Sequence, residues 1–184
     1  MQKRLILDTE HLEVTLRRLS QQLIENHGDF AQSAIIGLQP RGIFLANRLR
    51  DILGHQLGKA VLTGYLDTTF HRDDFRRRDT PPKAYETQVP FLIEGKKIIL
   101  VDDVLYTGRT IRAALDAMIT FGRPQKVDLL ILINRIHSRE LPIEPDYTGK
   151  NVNTLHTQKV LVEWQEQGAE QDRIWLVDKT KENV

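Results

Sequence analysis

Ile98-Ile99-Leu100-Val101-Asp102-Asp103-Val104-Leu105-Tyr106-Thr107-Gly108-Arg109-Thr110 is the stretch on which the fold turns. Its opening apolar run predicts a strand buried on both faces, the pattern of a parallel sheet covered by helices. Two adjacent carboxylates and a Thr-Gly-x-Thr turn follow, and a helix is predicted from Arg109 to Phe121 with Gly122 as its stop. A helix N-terminus attracts an anion through its free N–H groups and dipole. Gly108 lets the backbone approach that anion closely, and the hydroxyls of Thr107 and Thr110 add donors. Asp102 and Asp103 can accept hydrogen bonds from neighbouring sugar hydroxyls. Strand, carboxylate pair and cup in this order describe a site for a ribose carrying a 5′-phosphate. The alternative is a solvated loop in which one carboxylate caps the helix.

The flanking sequence repeats the alternation. From Asp8 to His27, Leu12, Leu16, Leu19 and Leu23 recur at helical spacing, with Asp8 or Thr9 as N-cap and Gly28 as the stop. Ala34-Ile35-Ile36 predicts a strand entering Gly37-Leu38-Gln39-Pro40-Arg41-Gly42, after which Ile43, Ala46, Leu49 and Leu53 predict a helix ending at Gly54. Ala60 to Phe70 suits a strand, His71 to Pro90 a long charged loop, and Val127 to Ile133 a second buried strand. Strands alternating with helices imply an α/β protein with a parallel sheet core flanked by helices, ligands binding at the carboxyl ends of its strands. Asn134 to Val184, with short candidate strands at Lys159 to Glu163 and Arg173 to Val177, predicts a small appended lobe. The expectation is one domain over residues 1–184: a core of about 8–133, and a lobe of about 134–184 joined by the N-terminal residues.

Composition narrows the chemistry. Hydrophobic residues make up 40% and charged residues 28%, the balance of a soluble globular protein, and no apolar run approaches the roughly 18 residues of a membrane span. The start of the chain has neither the apolar core nor the cleavage site of a secretion signal, so a cytoplasmic location is expected. With Cys 0, disulfides, thiolate zinc sites and a Cys nucleophile are excluded. The His residues never fall at metal-ligand spacing. A net charge of +1 argues against wholesale nucleic-acid binding yet leaves room for a local basic patch. Gly37 to Gly42 has the glycine spacing of a P-loop, but Ile43-Phe44 stands where Lys-Ser/Thr is required. Arg72-Asp73-Asp74-Phe75-Arg76-Arg77-Arg78, taken alone, is a solvated charge run.

The stretch from Ile98 to Thr110 resembles the phosphoribosyl-diphosphate (PRPP) signature of the type I phosphoribosyltransferases. Val104-Leu105-Tyr106-Thr107-Gly108-Arg109-Thr110 is similar in particular to the PyrR family, bifunctional pyrimidine regulators with uracil phosphoribosyltransferase activity. Ile6-Leu7-Asp8, Pro40-Arg41-Gly42, Tyr65-Leu66-Asp67, Arg72-Asp73-Asp74, Gly122-Arg123-Pro124, Arg139-Glu140-Leu141-Pro142-Ile143 and Asp146-Tyr147-Thr148-Gly149-Lys150-Asn151 resemble further landmarks of that family in the right order, from about residue 6 to residue 163.

The resemblance implies a type I phosphoribosyltransferase fold with a small hood. It also implies transfer of phosphoribose from PRPP to uracil with release of pyrophosphate, and Mg²⁺ carried by PRPP with no dedicated protein site. It further implies homo-oligomers, a pocket that senses UMP and UTP, and binding of pyrimidine-operon leader RNA. By the same resemblance, PRPP is bound by Ile98 to Thr110 with Pro40 and Arg41, and Asp102, Asp103 and Arg41 are catalytic. Arg72, Asp73, Asp74 and Arg76 belong to a lid that shields an oxocarbenium-like sugar from water. Asn134 and Arg135 belong to the hood, and Arg17, Arg18, Arg139 and Lys150 to an RNA face.

Some positions depart from the family pattern. Pro40 replaces a usual Thr. Asn134 stands where Asp is usual, and Ser138 is an insertion before Arg139. Arg17 and Gln21 replace Thr and His. Tyr106 occupies a position where purine-specific relatives usually carry Asp, which disfavours purine salvage. Uracil transferase, RNA-binding regulator with little catalysis, and purine transferase remain the functions to be separated.

Overall fold

Period-two alternation sends the apolar residues of the central strands into two separate cores. The structure, a computed structural model, describes residues 3–73 and 83–178. In strand β4 (Lys97–Leu105), Ile99 and Val101 face one core while Ile98 and Leu100 face the other. Strand β5 (Lys126–Ile136) repeats this, with Leu130 and Leu132 on the first side and Leu129 and Ile131 on the second. These side chains are buried, each contributing roughly 1.5–3 kcal/mol by leaving water. The first core is roofed by helices α1 (Thr9–His27) and α2 (Gly42–Leu57), the second by α3 (Arg109–Met118). Helix α1 forms where expected, its N-cap Asp8 accepting the His11 amide at 2.9 Å.

Strands β2 (Ser33–Leu38), β3 (Thr63–Leu66) and β6 (Tyr147–Asn153) complete a five-stranded parallel sheet in the order β3-β2-β4-β5-β6. Strands β1 (Lys3–Leu7), β7 (Gln158–Glu163) and β8 (Arg173–Asp178) form an antiparallel sheet in the order β1-β8-β7. The α/β class and the appended lobe are as expected, and β7 and β8 lie close to their expected bounds.

Several boundaries differ from the expectation. Strand β4 runs on through Asp102 and Asp103 to Leu105, because pairing with β5 continues to Leu105↔Asn134. Helix α2 passes Gly54 and stops at Gly58, whose left-handed conformation (φ 66°) ends it. The Arg109 helix gives way to a 3₁₀ turn over Ile119–Phe121. The strand predicted within Ala60 to Phe70 is confined to Thr63–Leu66. The parallel sheet also extends past residue 134 through the end of β5 and β6, while β1 from the N-terminus joins the hood sheet as expected. Among the described residues no helix is long and apolar enough to cross a membrane.

Candidate active site

The carboxyl ends of β2, β4 and β5 meet at one edge of the parallel sheet. Gly42 sets the spacing there: a Cβ on it would lie 2.4 Å from the Val101 carbonyl oxygen and 3.0 Å from Asp102 Cα. Only glycine lets the start of α2 come so close to β4. That approach carries Arg41 to Asp103, whose Oδ2 accepts from Arg41 Nε at 2.8 Å, while the far end of the same guanidinium donates to the Val162 carbonyl of the hood. The Gln39–Pro40 peptide in this turn is cis. Asp103 is buried, and Asp102 accepts the Asp103 amide N–H at 2.9 Å. Burial pushes the Asp102 carboxyl well above the usual carboxylate range, the neighbouring Asp103 charge adds to this, and Arg41 and Arg72 oppose it. Burial likewise raises Asp103, opposed chiefly by Arg41.

Beyond the pair, the chain turns through Thr107 and Gly108 (φ 92°) into α3. A cavity of about 220 Å³ opens here, lined among others by Asp102, Tyr106, Thr107, Gly108, Thr110 and Arg72. Arg72 donates to Thr110 Oγ1 at 2.7 Å, which brings one expected lid cation to the cup. Asp73 pairs with Arg109 at 2.5 Å and approaches Arg112 at 3.8 Å. Asp74 and Arg76 lie outside the described residues. Arg109 is turned to Asp73 and to Glu140, at 2.7 Å, and does not line the cavity. Ile98, Ile99, Leu100 and Val101 are core residues at 0% exposure, so the ligand-facing part of the signature starts at Asp102. A strand buried on both faces has no side chain left for a ligand until it reaches the sheet edge.

Asn134 and Arg135, expected in the hood, instead lie at the end of β5 in the parallel sheet, because its pairing with β4 and β6 runs that far, and they meet the turn from the other side. The Arg135 guanidinium lies over the Tyr106 ring, 3.8 Å from its centre, and donates to Thr154 Oγ1 at 2.9 Å and to the Gln158 carbonyl at 3.0 Å. Asn134 donates to Asn151 Oδ1 at 2.9 Å and accepts from Arg139. Arg139, expected on a surface RNA face, is instead turned inward. Its guanidinium reaches the carbonyls of Tyr106, Arg135 and Ile143, because carbonyls at strand ends need donors when they are buried. The other three cations of that expectation are exposed. Arg17 is exposed on α1; Arg18, also on α1, donates to the Gly149 carbonyl of β6 at 2.6 Å; and Lys150 of β6 donates to the Ile6 carbonyl at 3.0 Å.

Sequence reasoning missed Arg48. It stacks over Trp164 at 4.6 Å and pairs with Glu166 at 2.7 Å and Asp172 at 2.6 Å, fastening the hood to α2. Its position beside Leu49 at the margin of the apolar face is the only local signal, and its partners lie more than a hundred residues away.

The Phosphoribosyl transferase domain model matches residues 4–167. A "Bifunctional protein PyrR" of Elusimicrobium minutum is 44% identical over 180 residues, covering 98% of this chain and 99% of the relative. Proteins of the same name from Enterococcus faecalis (43% over 176 residues, 96% and 97% covered) and Bacillus cereus (41% over 180 residues, 97% and 99% covered) are similar to the same extent. Among solved structures, the hypoxanthine phosphoribosyltransferase of Trypanosoma cruzi superposes with a TM-score of 0.72 at 13% identity, covering 95% of this chain and 96% of that one. A hypoxanthine phosphoribosyltransferase from Staphylococcus aureus gives 0.69 at 15% identity, covering 93% and 90%. At such identities these structures speak for the fold alone, that of the type I phosphoribosyltransferases. A full-length match to the curated relatives goes further: the chain belongs to the phosphoribosyl transferase domain family and, within it, to the PyrR proteins.

Proposed function

We propose that this protein transfers phosphoribose from PRPP to uracil, giving UMP and pyrophosphate, and that the same pocket senses uridine nucleotides for an RNA-binding face. The observation that carries the catalytic reading is that Asp102 and the Thr107–Gly108 turn line one cavity at the carboxyl end of β4, with Asp103 beside it on Arg41. Asp102 and Asp103 accept from the ribose hydroxyls and face the sugar as positive charge develops at C1. The turn and the Thr107 and Thr110 hydroxyls receive the 5′-phosphate. Arg41 and Arg72 balance phosphate charge as the diphosphate departs, Arg72 standing at the cup through its bond to Thr110. Magnesium entering with PRPP would neutralise diphosphate charge, and the hard oxygen donors of Asp102 and Asp103 suit such a complex. Tyr106, stacked on Arg135, offers no carboxylate to handle a purine proton, which supports a pyrimidine acceptor.

Arg18 on α1, bonded to the Gly149 carbonyl next to Lys150 of β6, supports the RNA reading. The protein incubated with PRPP, Mg²⁺ and each nucleobase in turn, with chromatographic identification of the product, tests the enzymatic reading: UMP should form from uracil alone. Formation of a purine nucleotide from hypoxanthine or guanine in preference to UMP overturns it.

A further inference from the structure

We infer that Arg139 and the strap that follows it, residues 139–143, are positioning elements that aim the backbone amides of the anion cup. The inference rests on the phosphate reading of the Thr107–Gly108 turn and adds a means by which that turn is held. In a trans peptide the carbonyl and the following N–H point in opposite directions, so fixing one fixes the other. The Tyr106 carbonyl accepts from the Arg139 guanidinium, which turns the Thr107 N–H the opposite way. The next carbonyl, Thr107, accepts from the Glu140 and Leu141 amides at 3.0 and 3.2 Å, which turns the Gly108 N–H the opposite way as well. Thr107 and Gly108 line the cavity and the strap does not, so both amides are directed to the cavity side. Neither amide donates to another described residue. Two successive amides with this orientation make an anion-binding concavity.

The strap itself is locked in place. Arg139 also donates to the Ile143 carbonyl at 2.9 Å and the Arg135 carbonyl at 3.1 Å, and bonds Asn134. Glu140 pairs with Arg109 at 2.7 Å, and Leu141 and Ile143 pack so tightly on Gly108 that a Cβ there would meet them at 3.3–3.4 Å. One planar guanidinium therefore joins the end of β4, the end of β5 and the strap. An ammonium, with a single point of charge, cannot reach all three carbonyls together.

The test compares UMP with uridine, which differ only by the phosphate, in calorimetric titrations of Arg139→Gln, Arg139→Lys and Thr107→Ala in the full-length protein, with KM for PRPP and uracil measured alongside. Arg139→Gln should weaken UMP by about 10- to 100-fold, the range given by losing one or two charged hydrogen bonds, and leave uridine within about twofold. KM for PRPP should rise while KM for uracil holds. Arg139→Lys should fall between Arg139→Gln and the unaltered protein, and as the milder change it keeps the question open to test if Arg139→Gln folds poorly. Equal weakening of UMP and uridine, or no weakening of either, overturns the positioning role. Thr107→Ala separates the two levels: if it weakens UMP and Arg139→Gln does not, the positioning role alone fails. If Thr107→Ala also leaves UMP untouched, the phosphate reading of the turn fails and this inference falls with it.

Discussion

Neutralising Asp102 should make the protein more stable and less active at once. Asp102 and Asp103 are consecutive on β4, one held in the cavity wall and the other buried at 5% exposure. Burial first, and then the Asp103 charge, raises the Asp102 carboxyl well above its ordinary value. A carboxyl raised on folding binds its proton more tightly in the folded state, so its contribution to stability is greatest at acid pH and is lost as pH rises through the folded value. Ionising the pair is therefore a liability of the fold. Two like charges on neighbouring residues repel by on the order of 2–3 kcal/mol at an effective dielectric of about 20. Arg41, 2.8 Å from Asp103, cancels part of this, which leaves a net gain of about 1–2 kcal/mol for removing one charge.

Asp102→Asn keeps the oxygen that accepts the Asp103 amide and removes only the charge. At about 2–4 °C per kcal/mol for a chain of this size, its melting temperature at pH 7.5 should rise by roughly 2–8 °C. The same substitution removes a charged acceptor for a ribose hydroxyl worth about 1.5–3 kcal/mol, so kcat/KM for PRPP should fall by about 10- to 100-fold, and further in the double Asp102→Asn, Asp103→Asn variant. Differential scanning fluorimetry and initial rates of UMP formation measure the two effects on one preparation. Near-normal kcat/KM in the double variant would refute the ribose role, and an unchanged or lower melting temperature in Asp102→Asn would refute the electrostatic argument.

Three further outcomes follow from other parts of the molecule. Burial holds His27 below the ordinary imidazole value of 6.5, against the pull of Asp128, so folding stability should decline as pH falls below about 6.5. His27→Gln should flatten that decline in urea denaturation at pH 5.5 and 7.5, and an unchanged pH slope would show that His27 does not cause it. Arg48→Ala strips Asp172, whose side chain is only 5% exposed, of its cation and should cost about 2–3 kcal/mol of unfolding free energy; a loss under about 0.5 kcal/mol would mean that the hood is fastened by other contacts. Against a pyrimidine-operon leader RNA, Arg18→Gln and Lys150→Gln should each reduce the log–log salt slope by about 0.7, and slopes identical to the unaltered protein would remove this surface from the RNA reading.

The elements that could be read in the sequence are those whose signal is local. Helix α1 repeats Leu12, Leu16, Leu19 and Leu23 over a capped segment, and β4 and β5 carry unbroken apolar runs, because both faces of their sheet are covered. Strand β6 escaped notice for the opposite reason. It is an edge strand with the polar sequence Tyr-Thr-Gly-Lys-Asn-Val-Asn, and Gly149 within it leaves so little room that a Cβ would stand 2.4 Å from the Leu132 carbonyl oxygen. Strand β1 is mostly exposed along its length and gains its place only by pairing with β8, some 170 positions further along the chain. No window of neighbouring residues contains that information.

The site divides along the same line, and Asn134 shows why. From the sequence, a neutral residue where relatives carry Asp looks like a lost charge near a diphosphate. In the fold, its amide group stands between a donor and an acceptor: it accepts from Arg139 and donates to Asn151. A carboxylate could only accept, and the Asn151 amide would have to turn its NH2 toward it. Ser138 lies in the same turn, where His137 takes a left-handed conformation (φ 62°) and Ser138 Oγ donates to the Arg135 carbonyl at 2.8 Å. From that turn Arg139 enters the space between the ends of β4 and β5. Asn134, Ser138 and Arg139 thus act together as one hydrogen-bonded joint between the ends of β4 and β5.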